Sequence, residues 1–282
     1  MKPHNCYICK KANYNPYVTI KDSLNISSFT IAECDCGFYF VNPKPSEKEL
    51  NKYYSTDDYL PHSKGKGILF LLYRIVQKIS FYNKFLLLRN LTKENITHLD
   101  YGGGDGFMSQ SFCLLIKTIS NININVEIFD LIGKDVNKEK ISNRKYDLII
   151  LSHIIEHLHE PKKVIQECKS LLSKNGLIYC EVPDERLTII KSLYKRFGLH
   201  YHVTHHTRRS LYLLFNILGF RNIFTKYCNR ASWRGKEIST IMCIASNVND
   251  HINLKNKPTS FTYEFFSFLN RIKFYLIKKI IH

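Results

Sequence analysis

Residues 96–106 read Ile-Thr-His-Leu-Asp-Tyr-Gly-Gly-Gly-Asp-Gly, and most of the fold follows from them. Ile96 to Asp100 is short, apolar and ends in an acid, the pattern of a buried strand. Glycines crowd positions 102, 103, 104 and 106 directly after it. At a strand-to-helix junction they let the backbone turn sharply and approach a ligand closely, just ahead of a helix N-terminus. The spacing is D-x-G-x-G-x-G, with the acid at the strand end. It departs from the dinucleotide fingerprint and suits a ligand carrying an amine and a carboxylate. A plain turn rarely needs so many glycines.

Outward from this loop, apolar strands alternate with helical patterns over about residues 96–247, which predicts an α/β fold with a parallel sheet. Asn125–Asp130 is a second strand ending in an acid. Tyr146–Ser152 is almost continuously apolar, as expected of a strand covered on both faces. Lys162–Ser173 reads as an amphipathic helix stopped by Asn175-Gly176. Leu177–Val182 follows as a strand ended by Pro183, and Ser210–Leu218 as a helix closed by Gly219. Residues 220–228 and 239–246 read as an antiparallel strand pair at one sheet edge. The chain divides into a cysteine module (1–60), a helical connector (61–95), the α/β domain (96–250) and a basic amphipathic tail (251–282).

Composition narrows the function. The chain has 282 residues, with 41 Lys and Arg against 24 Asp and Glu, a net charge of +17. An apolar fraction of 44% with 18 Tyr and 18 Phe excludes a disordered tail protein. No run approaches the roughly 18 uninterrupted apolar residues of a membrane-spanning helix, and the opening MKPHNCYICKK does not read as a secretion signal. Nine cysteines, some closely paired, fit a reducing cytoplasm better than a disulfide framework. The positive charge is spread along the chain without an RNA-binding signature, so nucleic acid is the less favoured partner. The accompanying wealth of Ile, Asn, Lys and Tyr is what AT-rich coding produces.

Cys6-x-x-Cys9 and Cys34-x-Cys36 offer four thiols in two knuckles. Four thiolates make the closed tetrahedral shell of a structural zinc ion. The second knuckle is one residue shorter than usual, and His4 is a possible substitute ligand. Four reduced cysteines and a redox pair are the alternatives. Cys113, Cys168, Cys180, Cys228 and Cys243 fall in predicted helices and strands, as small buried apolar residues do.

HLDYGGGDGF, YDLIILSHIIEHLHEP, GLIYCEVPD and HVTHHTRRSLYLLFNILGF, in that order, resemble the successive motifs of class I S-adenosylmethionine-dependent methyltransferases. NCYICKK and ECDCGFYFVNPKPSEKELNKYYS are similar to the N-terminal zinc module of a branch acting on sugars and other small molecules. The resemblance implies a Rossmann-like sheet. It places Asp100, Gly102, Gly104 and Gly106 around the methionine part of the cofactor, Asp130 at the ribose hydroxyls, and Ser152 and His153 beside the sulfonium. Tyr146 follows Asp130 by only 16 positions, so the usual helix and strand between them are trimmed or absent.

Seven of the twelve histidines lie between His153 and His206. An acceptor hydroxyl or amine must lose a proton, and histidine is the side chain poised for that near neutral pH. His202 and His205 are the candidates. His202 matches a recurrent histidine of related sugar methyltransferases, and Tyr201 replaces the glutamate that precedes it in carbon-methylating ones. Capping and loop roles are the alternative for each, and a metal site within HYHVTHH is a weaker one. The expected activity is methyl transfer to oxygen or nitrogen of a small sugar-like or anionic acceptor in the cytoplasm. The alternatives are an RNA (tRNA) methyltransferase and a non-catalytic binding protein. Residues 261–281 place apolar side chains at helical spacing beside Lys and Arg. That helix, like residues 66–92, either packs on the core or between subunits, or docks at the inner face of a membrane.

Overall fold

The structure, a computed structural model, describes residues 5–21, 28–46, 94–104, 106, 109–110, 113–114, 116–117, 122–130, 141, 143–184, 202–231 and 237–248. The expected helices at 66–92 and 261–281 and the segment 131–140 lie outside the described residues.

The main sheet has six strands. They are β4 (Asn95–Tyr101), β5 (Asn123–Phe129), β6 (Tyr146–Ser152), β7 (Leu172–Pro183), β9 (Asn222–Ala231) and β10 (Glu237–Ser246). Their spatial order is β5-β4-β6-β7-β10-β9. The first four run parallel, while β10 lies antiparallel to both β7 and β9. The late pair thus forms one edge, as the sequence predicts. β6 is buried from Tyr146 through Leu151, which is why its apolar run is unbroken. Asp147 alone interrupts it. Its carboxylate accepts from the Thr97 N–H and hydroxyl (both 3.1 Å) and from Ser173 (2.8 Å), so its burial is compensated.

α1 (Pro161–Leu171) opens on a proline, whose missing N–H costs nothing there. It buries Ile165, Cys168 and Leu171 on one face. The helix ends before the predicted stop at Asn175-Gly176, because that pair serves the strand. Tyr146 pairs with Leu172 but Leu148 with Leu177, so the intervening residues bulge between two parts of β7. A Cβ on Gly176 would stand 2.7 Å from the Tyr146 carbonyl, which requires glycine there. α2 (Arg208–Ile217) begins two residues earlier than predicted. Thr207 caps it: its hydroxyl accepts from Ser210 N–H (3.1 Å), while the Ser210 hydroxyl accepts from Thr207 N–H (2.9 Å).

The cysteine region builds a second sheet. β1 (Tyr14–Lys21), β2 (Ser28–Cys34) and β3 (Tyr39–Val41) are antiparallel, and its fourth strand is β8 (Thr204–His205) from far along the chain. Tyr39 pairs with His205 and Phe40 with Thr204. Thr207 adds a bond from its hydroxyl to the Gly37 carbonyl (3.0 Å), and Lys162 donates to the Ile8 carbonyl (3.1 Å). Cys6, Ile8, Phe38 and Phe40 therefore lie in one apolar core with Leu99, Ile149 and Leu211. The segment read as part of the α/β domain completes the sheet of the N-terminal module. Among the described residues, no helix is long and apolar enough to cross a membrane.

Thr207 serves the helix and the module at once. Urea unfolding of Thr207→Ala should show a loss of about 1–2 kcal/mol, the range for a lost cap. Thr207→Ser should recover most of it, and an unshifted midpoint in the alanine variant would contradict this role.

Candidate functional site

The glycine loop lies where the parallel strands end. Gly102, Gly104 and Gly106 have φ of +81°, +57° and +68°, conformations that glycine adopts without strain. A Cβ at 102 would run into Ile154, at 103 into the Asp100 carboxylate and at 106 into Ile128. The loop is thus pressed between the end of β5 and the turn after β6. Beneath it, Asp100 is buried and accepts from the Ser109 hydroxyl. Gly104 is exposed on top, and a Cβ there would stand 3.8 Å from Asp130 Oδ2. Asp100, Gly102, Gly104, Gly106 and Asp130 are brought together. Ser152 ends the neighbouring strand β6 and His153 follows it. His153 has φ +58°, unusual without glycine, and its N–H donates to the Glu181 carbonyl (2.8 Å).

Beyond Ser152 the chain makes a short 3-10 turn, Ile155–His157, that buries Glu156 to 1% exposure. His153 Nδ1 lies 3.2 Å from Glu156 Oε1 and His157 Nε2 lies 3.9 Å from it. His202 reaches the same place from the other segment: its ring meets His157 edge-on at 4.8 Å and His205 at 6.2 Å. Two bonds fix this meeting, from Val203 N–H to the Glu156 carbonyl (2.8 Å) and from the Thr204 hydroxyl to the Ile155 carbonyl (3.2 Å). Burial pushes the Glu156 carboxyl up, but the His153 hydrogen bond and the charges of His157, His153 and His202 outweigh it and hold the group below its ordinary range. A buried anion therefore sits among imidazoles at the strand end.

His202 is half-buried, whereas His205 is wholly buried on β8. Among the described residues of the HYHVTHH segment, His202 alone joins a group with metal-ligand geometry, and its companions are Glu156 and His157. Glu156 was not among the sequence-predicted site residues. An acid with histidines three positions before and one after was the available signal.

The four predicted thiols also converge. Cys6 Sγ lies 3.6 Å from Cys36 Sγ, and Cys9 Sγ 3.4 Å from Cys34 Sγ, with all four within 4.8 Å of one another. A tetrahedral ion with sulfur ligands at about 2.3 Å needs separations close to these. Burial pushes the Cys6 thiol up and Cys34 up to about 11. Cys9 is held down, against burial, by the Lys11 backbone and the neighbouring thiols. Cys168, Cys180 and Cys243 are buried, as predicted, while Cys113 is half-buried.

A family model described as "Methyltransferase domain" matches residues 73–224, more than half of the chain. "Ubiquinone biosynthesis O-methyltransferase" of Pelagibacter ubique (strain HTCC1062) is 31% identical over 100 residues, covering 30% of this chain and 41% of that protein. Its namesake in Colwellia psychrerythraea is 26% identical over 96 residues, covering 29% and 39%. The match thus spans about two fifths of the length of these curated relatives. A solved S-adenosylmethionine-dependent methyltransferase from Archaeoglobus fulgidus aligns with 64% of this chain and 99% of its own, at 16% identity and a TM-score of 0.44. On the family match, this chain belongs to the methyltransferase-domain family.

Proposed function

We propose that this chain transfers a methyl group from S-adenosylmethionine to an oxygen or nitrogen of a small acceptor, sugar-like or anionic. The observation that carries the reading is the placement of the open Gly104 beside Asp130, with the Glu156–His202 cluster at the adjoining strand end. The cofactor, when bound, supplies an electrophilic methyl group. The residues fit it: the exposed Gly104 leaves a cradle that a side chain would fill, and Asp130 offers an acceptor for ribose hydroxyls. Asp100 shapes the loop from below at the methionine end, while Ser152 and His153 wall the reactive end.

The acceptor's part falls to the histidines. In-line displacement gains most from positioning, and the remaining task is removal of the acceptor's proton. His202 is placed for it, half-exposed and backed by the Glu156 anion. His205 has no route to an acceptor because it is fully buried, so its role is to position His202. The name shared by the matched relatives supports oxygen as the methylated atom. The thiol cluster would hold a structural Zn2+, whose charge favours thiolate at all four cysteines. That ion would pin the sheet to which β8 belongs.

Calorimetry with S-adenosylhomocysteine should detect binding that Gly104→Arg abolishes by filling the cradle; undiminished binding would refute the assignment. His202→Ala should lower turnover by roughly two to four orders of magnitude, the usual range for a general base, with cofactor affinity nearly unchanged. Parallel loss of both would make His202 structural. Elemental analysis of protein purified without added metal should find at least one zinc per chain, whereas no metal and freely titrating thiols in the folded protein would exclude the thiolate site.

A further inference from the structure

The geometry points to a second metal site, formed by Glu156, His157 and His202, that holds a divalent transition-metal ion where the acceptor's reacting oxygen arrives. One ligand atom from each residue lies within 4.8 Å of the others. Ligands about 2.0–2.2 Å from a shared ion stand only slightly closer than this, so small side-chain adjustments complete the site. The donors come from two segments whose meeting is fixed by the Val203 N–H bond to the Glu156 carbonyl.

An independent observation comes from Glu156 itself. Its Oε1 is engaged by His153, while Oε2 is buried and has no hydrogen-bond partner among the described residues. A buried carboxylate oxygen without a donor costs about 1–3 kcal/mol or more, and a cation removes that cost. The bond from His153 orients the carboxylate as an outer hydrogen bond does at a metal site, with Oε1 also the oxygen 3.9 Å from His157 Nε2. Two imidazoles and one carboxylate select ions of the zinc, iron, cobalt or manganese kind. They also leave coordination positions open, unlike the four thiolates, which close their shell. The open positions take an acceptor with two adjacent oxygens, such as a vicinal diol.

This inference rests on the reading that the acceptor approaches the end of β6. It changes how His202 contributes, because a ligated imidazole acts through the ion. A bound cation lowers the pKa of a coordinated hydroxyl. The acceptor's proton then passes to water, its oxygen pair forms the new O–C bond, and the C–S pair stays on the departing sulfur.

Co2+ titration of the full chain tests the site, because cobalt accepts nitrogen, oxygen and sulfur donors but absorbs differently with each. One equivalent should bind with d–d bands that lack thiolate-to-cobalt charge transfer. Glu156→Gln and His157→Ala should each weaken that binding at least about tenfold, while S-adenosylhomocysteine calorimetry shows that both variants still fold. No such band in the parent, or equal binding in the variants, overturns the site. If that happens while His202→Ala still suppresses turnover, the free imidazole is the base and the methyltransferase reading survives. If the parent fails to bind S-adenosylhomocysteine, that reading falls, and the cobalt titration still decides the metal site.

Discussion

The backbone N–H of Val203 donates to the carbonyl of Glu156 across 2.8 Å, joining two stretches of chain that share no secondary-structure element. On one side stands the turn after β6, a strand buried from Tyr146 through Leu151. On the other runs β8, which pairs with β3 and so belongs to the cysteine module. The histidine–carboxylate cluster exists because this bond holds the two together. Had β8 paired elsewhere, His157 and His202 would not share a face, and Glu156 would lose part of what keeps it ionised.

The N-terminal module is therefore no appendage. Its second thiol knuckle leads from β2 into β3, and β3 pairs with β8, the strand following His202. Phe38, next to the Gly37 turn, meets His206 at 5.2 Å and Phe40 at 5.7 Å. Aromatic packing and short ladders link the cysteines to the wall of the candidate site. A small sheet of this size buries too little to hold itself, and its fusion with the larger core supplies the missing area.

Patterns set by neighbouring residues were legible in the sequence. β6 was read to the residue, because a strand covered on both faces announces itself by composition. The glycine loop and both strand-end acids were legible for a similar reason: close approach and positive φ leave few residue choices. What escaped depended on distant partners. A two-residue strand such as β8 carries no periodicity, and its existence is decided by Phe40 and Tyr39. Asn175-Gly176 has the chemistry of a helix stop, but the register jump against Tyr146 claimed it. The role of Glu156 was not legible, since burial of a charge is invisible until the neutralising groups are placed.

The strand order β1-β2-β3-β8 also bears on how the chain is made. During synthesis β3 emerges early and exposes a row of unpaired backbone groups along one edge. Its complement is translated only after nearly the whole parallel sheet has left the ribosome. Until Thr204 and His205 arrive, that edge is open to pairing with other nascent chains. The contact that organises the site thus cannot form until all four parallel strands have been translated.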